Sequence, residues 1–249
     1  MIRTLTLLAL LAPALACGNW ALDFDEDFSA ASVRRDPYLV AWYKLDGNAL
    51  DSSGNGYHAQ PNEAIGYTNG VIGQAVVTTT TAYLYSTNRA AFWLSSGYSV
   101  MAWVRVREQE NRWLISQWGA GGSGNASWVF GTDGNGFLRT GHHNGLQTSL
   151  FTSGAKPPIG EYMHIAAVYA GGTTGTNAAI YTNGVSAVAG TLNIVPQQSI
   201  NYDFRIGHTY GIAPGSAANS DLDDVRVYNR ALSSNDVARI YQGLKPLHD

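Results

Sequence analysis

Tyr98-Ser99-Val100-Met101-Ala102-Trp103-Val104-Arg105-Val106-Arg107 decides the fold. Alternate positions carry Tyr98, Val100, Ala102, Val104 and Val106, while the positions between carry Ser99, Met101, Trp103, Arg105 and Arg107. A period of two is that of a β-strand, whose successive side chains leave opposite faces. The branched set belongs in the core between two packed sheets. The same pattern repeats outward on both sides. Before it stand Leu39–Leu45, Ile72–Thr78 and Ala82–Ser86. After it come Arg112–Gln117, Ser127–Gly131, Phe137–Thr140, Thr148–Thr152, Tyr162–Ala170, Ala178–Thr182, Val185–Ala189, Phe204–Gly207 and Leu222–Tyr228. Clusters of Gly, Asn and Asp separate them and mark turns, because these residues tolerate positive φ. Asn183-Gly184 between two such runs is a type I′ hairpin signal. Many short strands at even spacing predict a sandwich or jelly roll. One helix is expected near the end. Ser233 caps it, Asp236 completes a capping box, and Val237, Ile240, Tyr241 and Leu244 share a face.

Composition agrees with an all-β chain. The 249 residues include 15 Lys+Arg and 18 Asp+Glu, a net charge of −3, which excludes the basic excess of a nucleic-acid binder. Charged residues are only 13%, against roughly 25% in ordinary globular domains. Hydrophobic residues reach 45% and aromatics 11%, ample for one large core. The single cysteine, Cys17, rules out an internal disulfide.

The organisation expected is a signal peptide over 1–16, a linker over 17–38, one domain over 39–243 and a tail over 244–249. Leu5–Leu15 is almost wholly apolar and Ala14-Leu15-Ala16 is a small–x–small cleavage pattern. That run is too short for a bilayer span, which takes about 20 residues, and no later stretch is longer. The chain is therefore expected to be secreted, with no transmembrane segment. Cys17 directly after the cleavage pattern leaves a lipid anchor open as the alternative. The acidic patch Asp23, Asp25, Glu26 and Asp27 reads as a solvated spacer, or else as part of a short first strand around Leu22–Phe28. Asn125-Ala126-Ser127 is a glycosylation sequon that matters only in a eukaryotic secretory pathway.

Four segments carry a resemblance. Leu39–Gly56 (LVAWYKLDGNALDSSGNG) resembles the opening of a laminin-G-like domain of the concanavalin A-like lectin/glucanase superfamily, which includes the pentraxin-like domains. Ser99–Val104 resembles its central strand. Glu161–Ala166 with Ile180–Gly184, and Phe204–Gly207 with Leu222–Ser233, resemble its later and closing strands. The resemblance implies an all-β, antiparallel two-sheet jelly-roll sandwich with one short C-terminal helix. It implies function less directly, because lectins, adhesion modules, hydrolases and lyases share the fold.

Three chemistries suit the residues. Asp46, Asn48, Asp51 and Ser53 crowd one loop with oxygen ligands of the kind hard Ca²⁺ takes. The resemblance implies that this loop lies near Asp223 and Asp224, which would add carboxylates. Asp223 shares a strand parity with Val225 and Val227, so it is expected to point inward. The alternative is an Asx-turn network without metal. Catalysis is not expected. Glycoside hydrolysis needs two carboxyls about 5–10 Å apart, and the nearest match, Glu108-Gln109-Glu110, sits where a strand ends. Arg139, His142, His143 and Tyr162 make an incomplete lyase set, and His164 reads as a core histidine. Sugar binding fits the rest, with Trp118, Trp128, His142, His143 and Tyr210 as candidate ligand-binding residues and Trp113 beside them. The function expected is non-catalytic recognition of a glycan or cell-surface protein, assisted by calcium as a structural ion. The alternatives are a polysaccharide-cleaving enzyme or a protein-binding adhesion module.

Overall fold

The computed structural model describes residues 35–119, 126–210 and 217–247. The expected signal peptide, Cys17, most of the linker, the sequon's Asn125 and the last two residues of the tail lie outside these. The first half of the described chain forms strands β1 (Leu39–Tyr43), β2 (Gln60–Pro61), β3 (Gly66–Asn69), β4 (Gln74–Thr78), β5 (Leu84–Ser86), β6 (Tyr98–Val106) and β7 (Arg112–Trp118). Then follow β8 (Ala126–Thr132), β9 (Leu138–His143), β10 (Thr148–Thr152), β11 (Met163–Tyr169), β12 (Ala178–Thr182), β13 (Val185–Gly190), β14 (Phe204–Ile206) and β15 (Ser220–Tyr228). Helix α1 spans Ser234–Tyr241. β2 and β3 are not expected from the sequence, because β2 is two exposed residues and β3 four residues of which only Tyr67 meets the core.

Two antiparallel sheets result. The larger runs β13-β12-β11-β6-β15-β4-β3, and β1 also pairs with β15. The smaller runs β10-β9-β8-β7-β14-β5-β2. Leu39 pairs with Tyr228 and Tyr43 with Val225, so the first and last strands close the domain side by side. Tyr98, Val100, Ala102, Val104 and Val106 all enter the core between the sheets, as their parity predicts. Aromatics fill its centre, where Phe204 stacks on Phe92 at 4.1 Å and on Tyr43 at 5.9 Å.

Strand β15 corrects the inward assignment of Asp223. A bulge between Asp223 and Arg226, with Asp224 at φ +51°, lets both Leu222 and Val225 face the core. Asp223 pairs with Trp103 on the opposite, outer face, where the 70–73 turn buries it. Helix α1 starts as predicted. Ser233 Oγ accepts from the Asp236 N–H at 3.1 Å, and Asp236 returns a contact to the Ser233 N–H at 3.4 Å. Val237 and Ile240 then pack on Met101, Ala166, Tyr181 and Tyr228, covering the outer face of the larger sheet.

Candidate functional site

Among the described residues no helix covers the outer face of the smaller sheet, and its side chains come from all seven strands. Register places Leu150, Gly141, Val129, Ser116, Arg205, Tyr85 and Gln60 in one row across it. The inward row beside it is Phe130, Ile115, Ile206 and Leu84, all core residues. A bulge in β7 sends both Leu114 and Ile115 inward and so leaves Trp113 on the outer side with Val129.

Two clusters occupy this face. In the first, Trp113 and Trp118 stack at 6.4 Å around Val129 and Ala126. The Arg139 guanidinium lies 4.6 Å above Trp113 and donates to Asn111 Oδ1 at 2.8 Å. His143 meets Trp118 edge-on at 5.7 Å. Its Nδ1 accepts the Gly145 N–H at 2.9 Å, and burial lowers its pKa. In the second cluster, Arg205 is held between Tyr83 and Tyr210, each 4.7 Å from the guanidinium. Its Nη1 lies 3.3 Å from His208 Nδ1. His208 in turn stacks on Tyr83 at 4.4 Å, and Tyr202 lies against Tyr210 at 4.3 Å. Burial lowers the pKa of both Arg139 and Arg205.

Polar atoms on this face lack partners. Trp113 Nε1, Ser127 Oγ, Arg139 Nε and Arg205 Nε are all buried and unbonded. A buried polar atom without a partner costs about 1–3 kcal/mol. Eleven such atoms occur among the described residues, and these four lie on this face.

Of the ligand-binding residues read from sequence, Trp118, His143 and Tyr210 lie on this face. Trp128 and His142 do not, and this is a correction. Both are 0% exposed. Trp128 donates to the Phe92 carbonyl at 2.9 Å and packs on Phe204 in the core. His142 Nδ1 donates to the Ile194 carbonyl at 2.7 Å, so Nε2 accepts from the Tyr98 hydroxyl at 3.0 Å. Burial pushes its pKa down to about 4. His142 and His143 are adjacent at the end of β9 and point to opposite faces. The lyase set does not assemble either, because Tyr162 bonds to the Asn69 carbonyl at the other sheet. Arg139, Tyr83, Arg205 and His208 were not read as binding residues. Only the outward parity of Arg139 and Arg205 on their strands signalled them. Glu108 and Glu110 both bond to the Arg112 guanidinium.

The six residues of the predicted calcium set fall into separate arrangements. Asp51 accepts N–H groups of Trp42, Ser53 and Tyr57 at 2.9–3.0 Å, plus the Ser53 hydroxyl at 2.9 Å. Asn48 caps its own turn through the Leu50 N–H. Asp224 accepts from the Trp42 indole and pairs with Arg226 at 2.9 Å. These four are engaged within the protein. Asp46 and Asp223 differ, because both press on the turn from Gly70 to Gly73. Asp46 Oδ1 accepts the Gln74 N–H at 2.7 Å. Asp223 Oδ2 accepts those of Val71 and Ile72 at 2.8 and 2.9 Å. Its Oδ1 is buried without a partner. Burial, with the charges of Asp224 and Asp46, pushes its pKa up to about 6. Among the described residues no three His, Cys, Asp or Glu side chains converge as a metal cluster.

The chain belongs to the concanavalin A-like lectin/glucanases superfamily, whose family model matches residues 78–238, more than half of it. No curated protein matches it. Similar solved structures include domain 4 of a GH43 extracellular arabinanase from Geobacillus stearothermophilus, in complex with arabinotriose. Its identity is 23% and its TM-score 0.62, over 82% of this chain and 98% of that one. The binding domain of Paraclostridial Mosquitocidal Protein 1 is 13% identical at TM-score 0.64, over 83% of this chain. A botulinum neurotoxin type C structure, from a toxin that depends on two ganglioside molecules to enter cells, is 13% identical at TM-score 0.64 over 84% of this chain. The chain spans about half the length of these two toxin chains, 52% and 51%. At such identities the likeness establishes the fold. No helix among the described residues is long and apolar enough to cross a membrane.

Proposed function

We propose that this chain is a secreted, non-catalytic recognition domain that binds carbohydrate on the outer face of the smaller sheet. The observation that carries the reading is the meeting there of aromatic rings with four buried, unbonded polar atoms. Sugars present apolar faces for rings and hydroxyls for such atoms. The arabinanase domain, matched over 98% of its length and solved with arabinotriose, supports it. The ion pairing of Glu108 and Glu110 supports a role without acid–base catalysis. The domain proposed is 39–243, reached through a signal peptide, with Cys17 as a lipid anchor in the alternative. Isothermal titration against a panel of oligosaccharides tests the reading. Tyr210, 43% exposed, is the accessible ring, so Tyr210→Ala should weaken binding at least tenfold while leaving the melting temperature unchanged. Absence of binding across the panel, with a cell-surface protein captured instead, would favour the adhesion reading.

Calcium is proposed at a narrower site than the sequence set. Asp46 and Asp223 fit it, because the unbonded Asp223 Oδ1 has no cation beside it and a buried carboxylate needs one or a proton. Asp51, Ser53, Asn48 and Asp224 already have partners. Millimolar calcium should then raise the melting temperature by a few degrees over EDTA, and Asp46→Ala should remove the difference. Superimposed melting curves for the unmodified chain would contradict it.

A further inference from the structure

Resting on the carbohydrate reading, we propose that the ligand is an acidic oligosaccharide, its carboxylate or sulfate groups held by Arg139 and Arg205. Both guanidiniums lie on the outer face of the smaller sheet. Arg139 is on β9, two residues from Gly141, which shares a row with Arg205 on β14, three strands away. At about 4.8 Å per strand and 3.4 Å per residue their backbones stand about 16 Å apart. Trp113 and Ser127, with their unbonded polar atoms, belong to the strands between. The spacing suits a chain of several sugars with more than one acidic group.

Charge accounting selects an anion. Ion pairs among the described residues engage Arg89, Arg105, Arg107, Arg112 and Arg226, but neither Arg139 nor Arg205. Arg205 is only 7% exposed, yet its polar contact is a ring nitrogen of His208 and not a carboxylate. Arg139 contacts an amide oxygen of Asn111. Asp133 and Asp203 act on them only from a distance, and Asp203 is bonded to Arg89 at 2.7 Å. Arg112, on the same sheet, shows the contrast. It is 5% exposed and is met by both Glu108 and Glu110. A buried cation without a counter-charge destabilises the free protein until an anion arrives. Guanidinium edges match carboxylate and sulfate in bidentate geometry, and the stacked rings fix their planes.

The test is titration of the full chain with uronate, sialylated and sulfated oligosaccharides, each against its esterified, asialo or desulfated twin. Vesicles of phosphatidylserine form a further arm. At least one acidic member should bind tenfold or more tightly than its neutral twin, and sodium chloride at 0.5 M should weaken it. Arg139→Gln and Arg205→Leu should each abolish that preference. Arg205→Leu should melt no lower than the unmodified chain, since an unpaired buried charge has been removed. Should it fail to fold, Arg205→Lys keeps the charge and should retain part of the preference. Equal affinity within every pair would overturn the proposal and leave carbohydrate binding standing. Binding to no oligosaccharide would overturn both, and binding to the vesicles alone would do the same.

Discussion

The two sheets treat their outer faces differently. On the larger sheet, α1 seals a cluster of eight buried apolar residues, Met101 and Val237 among them. On the outer face of the smaller sheet Trp113, Trp118, Ala126 and Val129 cluster among the described residues, flanked by Arg139 and His143. One face is sealed by a helix, and the other carries the site proposed for the ligand. Stability should therefore be sensitive to the first face and ligand affinity to the second.

The largest effect expected is on the sealed face. Ile240→Ala empties a site that is 2% exposed and should cost about 2–5 kcal/mol in a urea titration. Glycan affinity, measured well below the unfolding transition, should not change. A cost under 1 kcal/mol, or a loss of binding, would break the comparison.

Acid should act next. Burial holds His142 down at about 4 and His164, beneath the helix, at about 3. Both lie below the unfolded value of about 6.5, so stability is full above that pH and is lost as pH falls toward 4. His142 alone should account for about 3 kcal/mol by pH 4. Melting temperatures from pH 7 to 4 should fall, and His164→Gln should flatten the slope. A profile unaltered by that substitution would reject the assignment. The smallest effect belongs to the helix cap. Ser233→Ala removes the bond to the Asp236 N–H and should cost about 1 kcal/mol by urea midpoint.

Much of the sealed face was legible in the sequence, because burial writes periodicity. The alternation of Tyr98–Val106 and the Ser233/Asp236 box both describe local geometry and both hold. The contact face was legible only in part. Adjacent His142 and His143 look alike in sequence, yet strand parity sends one inward to Tyr98 and the other out to Trp118. Bulges erase parity: β7 carries Leu114 and Ile115 inward together, and β15 moves Asp223 off the face of Val225. Arg205 was missed because its meaning lies in Tyr83 and Tyr210, which only the tertiary fold brings to it.

The most direct measurement follows the indole N–H signals of the tryptophans by NMR during titration with the tightest oligosaccharide. Trp113 Nε1 is unbonded on the contact face, while Trp128 Nε1 is bonded to Phe92 in the core. The Trp113 signal should move on binding, together with the Arg205 side-chain signal, and the Trp128 signal should stay in place. Movement confined to Trp103, on the helix-covered face beside Tyr241, would contradict the placement of the site.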